Sequence, residues 1–294
     1  MRVLHCTVPA AYDGRPLKHL LRGELGISST LLKTLKWRVG AITLNGESVR
    51  VNALVRTGDE VCVTLSERAP RETDVAPLDL PLDIVYEDED LLVLNKRAGL
   101  AMHPMSTDLA APNLAGALVA YLGAGTVPHF VSRLDKGTSG LLIAAKSGYV
   151  HELLHRALHS EALRREYCAL AVGHVMPPRG VIDAPIARAE GSLVKRCVSP
   201  DGLPSRTEYE VLSYHGGLTL LRLAPLTGRT HQLRVHMASL GCPLAGDWLY
   251  GTEDKALIAR PALHSYALWF THPLTGEALH FTAPLPKDME RLIK

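Results

Sequence analysis

The chain has 294 residues, of which 47% are hydrophobic, 21% charged and 5% aromatic. These proportions exclude a disordered, collagen-like or disulfide-stapled chain and fit one large globular domain or two unequal ones. Thirty-two Lys and Arg against 30 Asp and Glu leave a net charge of +2, unevenly placed: residues 1–70 carry ten basic and six acidic side chains, residues 71–90 one and eight, and residues 91–294 twenty-one and sixteen. Two basic blocks flanking an acidic stretch favour a phosphate-bearing partner through counterion release, although solvated surface charge gives the same pattern.

The five cysteines, Cys6, Cys62, Cys168, Cys197 and Cys242, form no Cys-x-x-Cys pair, which removes support for a zinc ribbon or a dithiol redox site. The opening run Met1 to Cys6 is interrupted by His5 and Pro9 before a signal-peptide core can form. The apolar run Leu141 to Ala145 is far too short to span a membrane. The expectation is a reduced, cytoplasmic protein with no membrane partner.

In chain order, Leu17, Leu20, Leu21 and Leu25 have helical spacing and Gly26 ends that helix. Ser28 or Ser29 caps a second helix whose apolar side is Leu31, Leu32 and Leu35, with Lys33, Lys36 and Arg38 at its other positions. Ala41 to Leu44, the Asn45-Gly46 turn and Ser48 to Val51 read as a hairpin, and Glu60 to Leu65 as an alternating strand. Residues 1–66 therefore read as a small module of two helices and short strands, and the Pro- and charge-rich residues 67–81 as a linker. From residue 82 to 294, strands are expected at 83–86, 91–95, 139–145, 165–173, 206–214, 218–224, 264–271 and 279–283, and helices near 109–122, 148–160 and 229–240. Their irregular alternation favours an α+β domain on a mostly antiparallel mixed sheet.

Walker loops, Gly-x-Ser-x-Gly elbows and Gly-x-Gly-x-x-Gly fingerprints are absent. His151-Glu152-Leu153-Leu154-His155 matches the zinc-peptidase helix, but Leu158 and Glu161 stand where the extended pattern needs Gly and His. His159 continues the stripe, and three imidazoles on one helix stripe are more often surface or half-buried side chains than metal ligands. In Ser132 to Ala145, a polar Gly-rich turn feeds a strand that is apolar on both faces, so Asp135 stands at the mouth of a core strand between Arg133 and Lys136. Asp before a glycine is ordinarily a turn former. In Leu226 to Gly241, a helix started by Thr227 or Gly228 would align Arg229 with Leu233, His236, Met237 and Leu240. Arg229 would then top a core-facing stripe and need a carboxylate, with Asp135 as the natural candidate, unless it snorkels to solvent.

The Arg133 to Leu141 run resembles the active-site signature of the RluA-type pseudouridine synthases. Glu87 to Lys96 with Gly99 and His103-Pro104 resembles the family's first motif, Arg165 to Gly173 its Tyr-bearing strand, and Gly228 to His236 its Gly-Arg-x-His-Gln motif. The four stand in the family's order over residues 82–285. Two positions depart from it: Ser132 replaces the usual His, and Arg97 the usual Pro. Residues 15–65 also resemble the small RNA-binding domain of ribosomal protein S-four.

The resemblance implies conversion of uridine in RNA to pseudouridine with no cofactor or metal, and a chain with enough core of its own is expected to be a monomer. Asp135 would act as nucleophile or base, Tyr167 would stack on the flipped uracil, and Arg229 would hold Asp135 ionised and oriented. Arg133 would fill the space the base vacates, and Thr138, His231 and Gln232 would contact substrate. Lys33, Lys36 and Arg38 would offer RNA a basic face. Large-subunit ribosomal RNA is the expected substrate, with transfer RNA as the alternative. From other classes stand a zinc metallopeptidase using His151, Glu152 and His155, and a catalytically silent RNA-binding protein.

Overall fold

The computed structural model describes residues 2–65, 75–104, 108–109, 111–123, 126–160 and 162–294. Its first part contains β1 (Arg2–Thr7), α1 (Leu17–Gly23), α2 (Ser29–Leu35), β2 (Ile42–Leu44), β3 (Glu47–Ser48) and β4 (Glu60–Leu65). The strands form an antiparallel sheet in the order β1-β4-β2-β3. Ser28 is the cap of α2, its hydroxyl accepting from the Leu31 amide at 3.2 Å. Asn45 and Gly46 both take positive φ, 50° and 85°, as a two-residue hairpin of the native twist requires. β1 was not foreseen. Its inward residues Arg2, Leu4 and Cys6 are only half-buried, so its apolar alternation is weak.

The larger part contains β5 (Ile84–Glu87), β6 (Leu91–Lys96), α3 (Leu114–Leu122), β7 (His129–Phe130), β8 (Ser139–Ala145), α4 (Gly148–Leu158), β9 (Leu163–Val172) and β10 (Arg179–Asp183). There follow β11 (Ile186–Arg188), β12 (Arg196–Val198), β13 (Arg206–His215), β14 (Leu218–Pro225), α5 (Gln232–Ser239), β15 (Leu263–Thr271), β16 (Ala278–Thr282) and α6 (Lys287–Glu290). Ten strands make one sheet along the path β10-β13-β14-β9-β15-β8-β6-β5, with β7 added on β8 and β16 on β15. β15 and β8 run parallel, whereas the other strand pairs of this sheet are antiparallel. This is the α+β, antiparallel-dominated mixed sheet that the irregular alternation of elements implies.

All seven residues of β8 are buried because both faces of the sheet are covered there. Leu141, Ile143 and Ala145 point to one core, shared with Leu17, Leu20, Leu35 and Val63 of the first part. Leu142 and Ala144 point to the other, shared with Leu114 and Leu118 of α3. The first part shares this core with α4, whose Tyr149, Val150 and Leu154 belong to the same cluster. Tyr149 Oη of α4 also donates to the Leu25 carbonyl at 2.7 Å, Arg156 donates to the Gly26 carbonyl, and Arg2 pairs with Asp90.

Of the expected linker, residues 67–74 lie outside the described residues. Residues 75–81 have no regular structure but are laid against α3: the Leu78 amide donates to the Gly116 carbonyl at 2.9 Å, and Val75 and Leu80 join the second core. α3 begins at Leu114 rather than near 109 because Asn113 caps it, its side-chain oxygen accepting from the Gly116 amide at 2.8 Å.

The junction of β8 with β15 is tight at Gly140, which has φ +106°, and a Cβ there would overlap the Ser265 carbonyl oxygen and lie 2.7 Å from the Ser265 amide nitrogen. Gly140→Ala is expected to cost about 2–5 kcal/mol, from the disfavoured φ and overpacking against backbone. Gly58→Ala, at φ +89° with nothing within 4 Å of its Cβ, should lose only about 1–2 kcal/mol. Urea denaturation of the two variants measures the contrast, and equal losses would refute the packing argument.

Candidate active site

Asp135 occupies the turn that feeds β8, and the turn's backbone is pinned from three sides. The Thr138 amide donates to the Asp135 carbonyl at 3.0 Å, the Gly99 amide to the Lys136 carbonyl at 2.8 Å, and Arg260 to the Gly137 carbonyl at 3.1 Å. Lys96, at the end of β6, lies fully inside the fold and donates to the carbonyls of Leu100, Arg97 and Lys136 at 3.0, 3.1 and 3.3 Å. Burial pushes its ammonium down to about 8, opposed by the negative charge of Asp135.

The arginine facing Asp135 is Arg234, not Arg229. Arg234 Nη1 lies 3.4 Å from Asp135 Oδ2. Its other two nitrogens grip Asp247 bidentately at 2.7 Å each. Asp247 is 0% exposed and Arg234 5%. The Leu249 and Tyr250 amides, at 3.1 and 3.3 Å, satisfy the remaining acceptor capacity of Asp247. Burial disfavours the Arg234 charge, but Asp247 and then Asp135 outweigh it and hold its pKa above the ordinary arginine value.

The expected helix over 229–240 begins only at Gln232, because His231 adopts the left-handed conformation at φ 58° and breaks the turn before it. Arg229 therefore lies in the preceding loop, where its Nε donates to the Pro204 carbonyl at 3.2 Å. Gln232 has its amide fully engaged by protein. Its nitrogen donates to the Arg206 carbonyl and Thr207 Oγ1 at 2.9 and 3.0 Å, and its oxygen accepts from Thr227 Oγ1 and the Arg229 amide at 2.7 and 3.0 Å. It shapes the loop and has no donor left for a ligand.

His231 Nε2 stands 3.9 Å from Asp135 Oδ2, and its Nδ1 is 2.8 Å from Tyr250 Oη. The Tyr250 oxygen already accepts from the Arg196 amide at 2.9 Å, so its one hydrogen is directed to Nδ1. The imidazole is thereby fixed with Nε2–H toward Asp135. Burial lowers its pKa, with Asp135 opposing. The Tyr250 ring also carries the Arg234 guanidinium, 5.0 Å from its centroid.

These groups line an open cleft of about 850 Å³. It brings together Asp135, Tyr167, Arg229, Arg133, Thr138, His231 and Gln232, and does not include Lys33, Lys36 or Arg38, which stand exposed on α2 and the turn after it. Tyr167 is buried in the wall, Arg133 is exposed at the rim, and Thr138 is buried in the turn. Six Lys and Arg side chains and five His line the cleft against the single carboxylate of Asp135, a setting for a polyanion. Arg234, Asp247, Tyr250 and Lys96 were not singled out as site residues from the sequence. Arg234 fell off the stripe drawn for a helix starting three residues too early, and Asp247 in Gly246 to Gly251 reads as an ordinary turn residue.

The zinc-peptidase arrangement does not form. His151 Nε2 is 3.2 Å from the Phe130 carbonyl and so carries its proton, while Glu152 pairs with Arg156 at 3.5 Å. Among the described residues, the group whose ligand atoms converge is instead Asp88, Asp90 and His272. There Asp88 accepts from Tyr86 and from the Asp90 and Leu91 amides, and Arg2 pairs with Asp90. His272 Nδ1 accepts from the Leu274 and Thr275 amides at 3.3 and 3.1 Å, which leaves Nε2 protonated, 3.2 Å from Asp88 Oδ2 but without an aligned hydrogen bond. No helix among the described residues is long and apolar enough to cross a membrane.

The family model described as RNA pseudouridylate synthase matches residues 90–239, which span Asp135, Tyr167 and Arg234. The chain is 41% identical over 275 residues to the uncharacterized RNA pseudouridine synthase YjbO of Bacillus subtilis, covering 92% of this chain and 96% of that one. It is 39% identical over 304 residues to ribosomal large subunit pseudouridine synthase D of Vibrio parahaemolyticus, covering 98% and 92%. The solved structure of human RNA pseudouridylate synthase domain containing 1 superposes with a TM-score of 0.58 at 29% identity, over 69% of this chain and 83% of that one. With its fold, its cleft and these relatives in agreement, the chain belongs to the RNA pseudouridine synthases.

Proposed function

We propose that the enzyme isomerises one or more uridines of large-subunit ribosomal RNA, in the cytoplasm and without a cofactor, with Asp135 as the nucleophile or base. The observation that carries this reading is the Asp135–Arg234–Asp247 array, which presents one oriented carboxylate at the floor of a cationic cleft. In the reaction the bond from N1 of uracil to C1′ of the ribose breaks, the base turns, and C5 bonds to C1′. C5 loses a proton and N1 gains one. Asp135 assists at the sugar or the base, and Tyr167, buried in the wall beside it, offers a face to the flipped uracil. Arg133 at the rim is suited to the gap left in the RNA stack. The large-subunit name of the Vibrio relative, which this chain matches almost end to end, supports ribosomal RNA over transfer RNA. Residues 15–65, carrying exposed Lys33, Lys36 and Arg38, act as the RNA-binding module that their likeness to ribosomal protein S-four implies.

Bulk RNA from cells lacking the modification, treated with purified enzyme and scored for pseudouridine by chemical derivatisation, tests the reading. Wild type should modify large-subunit RNA. Asp135→Asn should lose activity by about a thousandfold or more while still binding RNA. Product confined to transfer RNA would select the alternative substrate, and an Asp135→Asn enzyme of wild-type activity would remove Asp135 from its role.

The assignment of Arg234 over Arg229 is separately checkable. Arg234→Lys keeps the charge but loses the fork that grips Asp247, so the reaction rate at saturating RNA should fall by about tenfold or more. Arg234→Gln, which strands the buried Asp247, should cost about 3–5 kcal/mol of stability. Arg229→Gln should change stability by about 0.5 kcal/mol or less and weaken RNA affinity without stopping turnover. The reverse ranking, with Arg229→Gln inactive and Arg234→Lys normal, would restore the sequence-based pairing.

A further inference from the structure

The imidazoles of α4, which the zinc reading leaves without a role, form a continuous strip along the wall of the active-site cleft. His151 and His155 have ring centroids 5.8 Å apart, and His155 and His159 4.9 Å apart. All three line the same cleft as Asp135. His151 is half-buried and tied to the Phe130 carbonyl, whereas His155 and His159 are exposed. Among the described residues neither of these two rings has a hydrogen-bond partner.

The helix has two distinct sides. Tyr149, Val150 and Leu154 are buried, and Leu153 lies against Gly26 of the first part. The four-residue spacing of the imidazoles puts them together on the cleft side. The acid of this stretch, Glu152, is balanced by Arg156 at 3.5 Å. Among the described residues lining the cleft, Asp135 is the one carboxylate, and the strip continues the surface lined by Arg133, Arg165 and Arg229. An imidazole offers a phosphate an N–H donor.

We propose that His155 and His159 form a phosphate-contacting strip over which the RNA backbone passes between the Asp135 site and the N-terminal module seated on the same helix. The inference rests on the RNA reading of the cleft given above. It makes α4 both the seat of the module and the guide for the strand, so the path from module to site is set by one rigid element.

The test compares the full-length protein with a His155→Ala/His159→Ala pair and a His155→Lys/His159→Lys pair. Filter binding uses transcribed large-subunit ribosomal RNA and bulk transfer RNA, and pseudouridine formation is measured on the same RNAs. The Ala pair, which removes both N–H donors, should raise Kd and KM by about tenfold while changing kcat by less than about twofold, and the Lys pair should bind at least as tightly as wild type. An Ala pair with the wild-type Kd on both RNAs overturns the strip, as does a Lys pair that binds as weakly as the Ala pair. If wild type makes no pseudouridine but the Ala pair still loses affinity, the synthase reading falls and the strip stands. Near-wild-type circular dichroism and melting of the Ala pair exclude loss of fold as the cause.

Discussion

Asp247 is the constraint around which the site is arranged. A carboxylate with no solvent contact is tolerated only with full compensation, and here the compensation is a bidentate guanidinium plus two backbone amides. Two of Arg234's three nitrogens are thereby committed, and the third is left aimed at Asp135. The ion pair is thus less a source of stability than a means of fixing direction. The neighbouring irregularities stand beside it. Arg234 lies over the Tyr250 ring, α5 starts late at the left-handed His231, and Gln232 ties down the loop before it.

The second constraint is the double coverage of β8. Leu141, Ile143 and Ala145 enter the core shared with α4 and the N-terminal module, and Leu142 and Ala144 the core shared with α3, so both faces of the strand behind Asp135 are dry. A turn emerging from such a strand inherits its rigidity, and Lys96, Gly99 and Arg260 add donors to the turn carbonyls. The N-terminal module therefore shares the core that covers one face of the strand leading from Asp135.

Much of the fold was legible because strand signals here are strong. β8 matches its expected range to the residue, and β6, β13, β14 and β15 fall within one residue of theirs at each end. Those segments are apolar on both faces or alternate cleanly. β1, β7, β10 and the β11–β12 hairpin were missed because short or half-exposed strands have too few buried inward residues to show a period. In the site, the position of Asp135 at the mouth of a buried strand was legible from the Gly-rich turn, whereas its role rested on the resemblance of Arg133 to Leu141 to a family signature. Its arginine was not, because Thr227 and Gly228 look like a helix start while the chain begins α5 at Gln232. A cap is a local signal, and the tertiary demand of Asp247 on Arg234 overrode it.

Hydrogen-bond direction describes the two metal-like patterns more closely than residue spacing does. A histidine can ligate through a nitrogen only if that nitrogen has no proton, so the partner of each ring nitrogen matters as much as distance. His151 Nε2 points at a carbonyl, an acceptor that demands the proton. At His272 two amides take the Nδ1 lone pair, which places the proton on Nε2, a buried atom with no aligned acceptor among the described residues. The same reasoning gives His231 its meaning, since the Arg196 amide sets the direction of the Tyr250 hydroxyl and the hydroxyl sets the tautomer. The imidazole beside Asp135 therefore presents a donor to the carboxylate, an arrangement fixed by a backbone amide on β12, more than thirty residues away in sequence. Residue spacing alone finds clusters of such groups; only the donors and acceptors around each ring determine which of them can act.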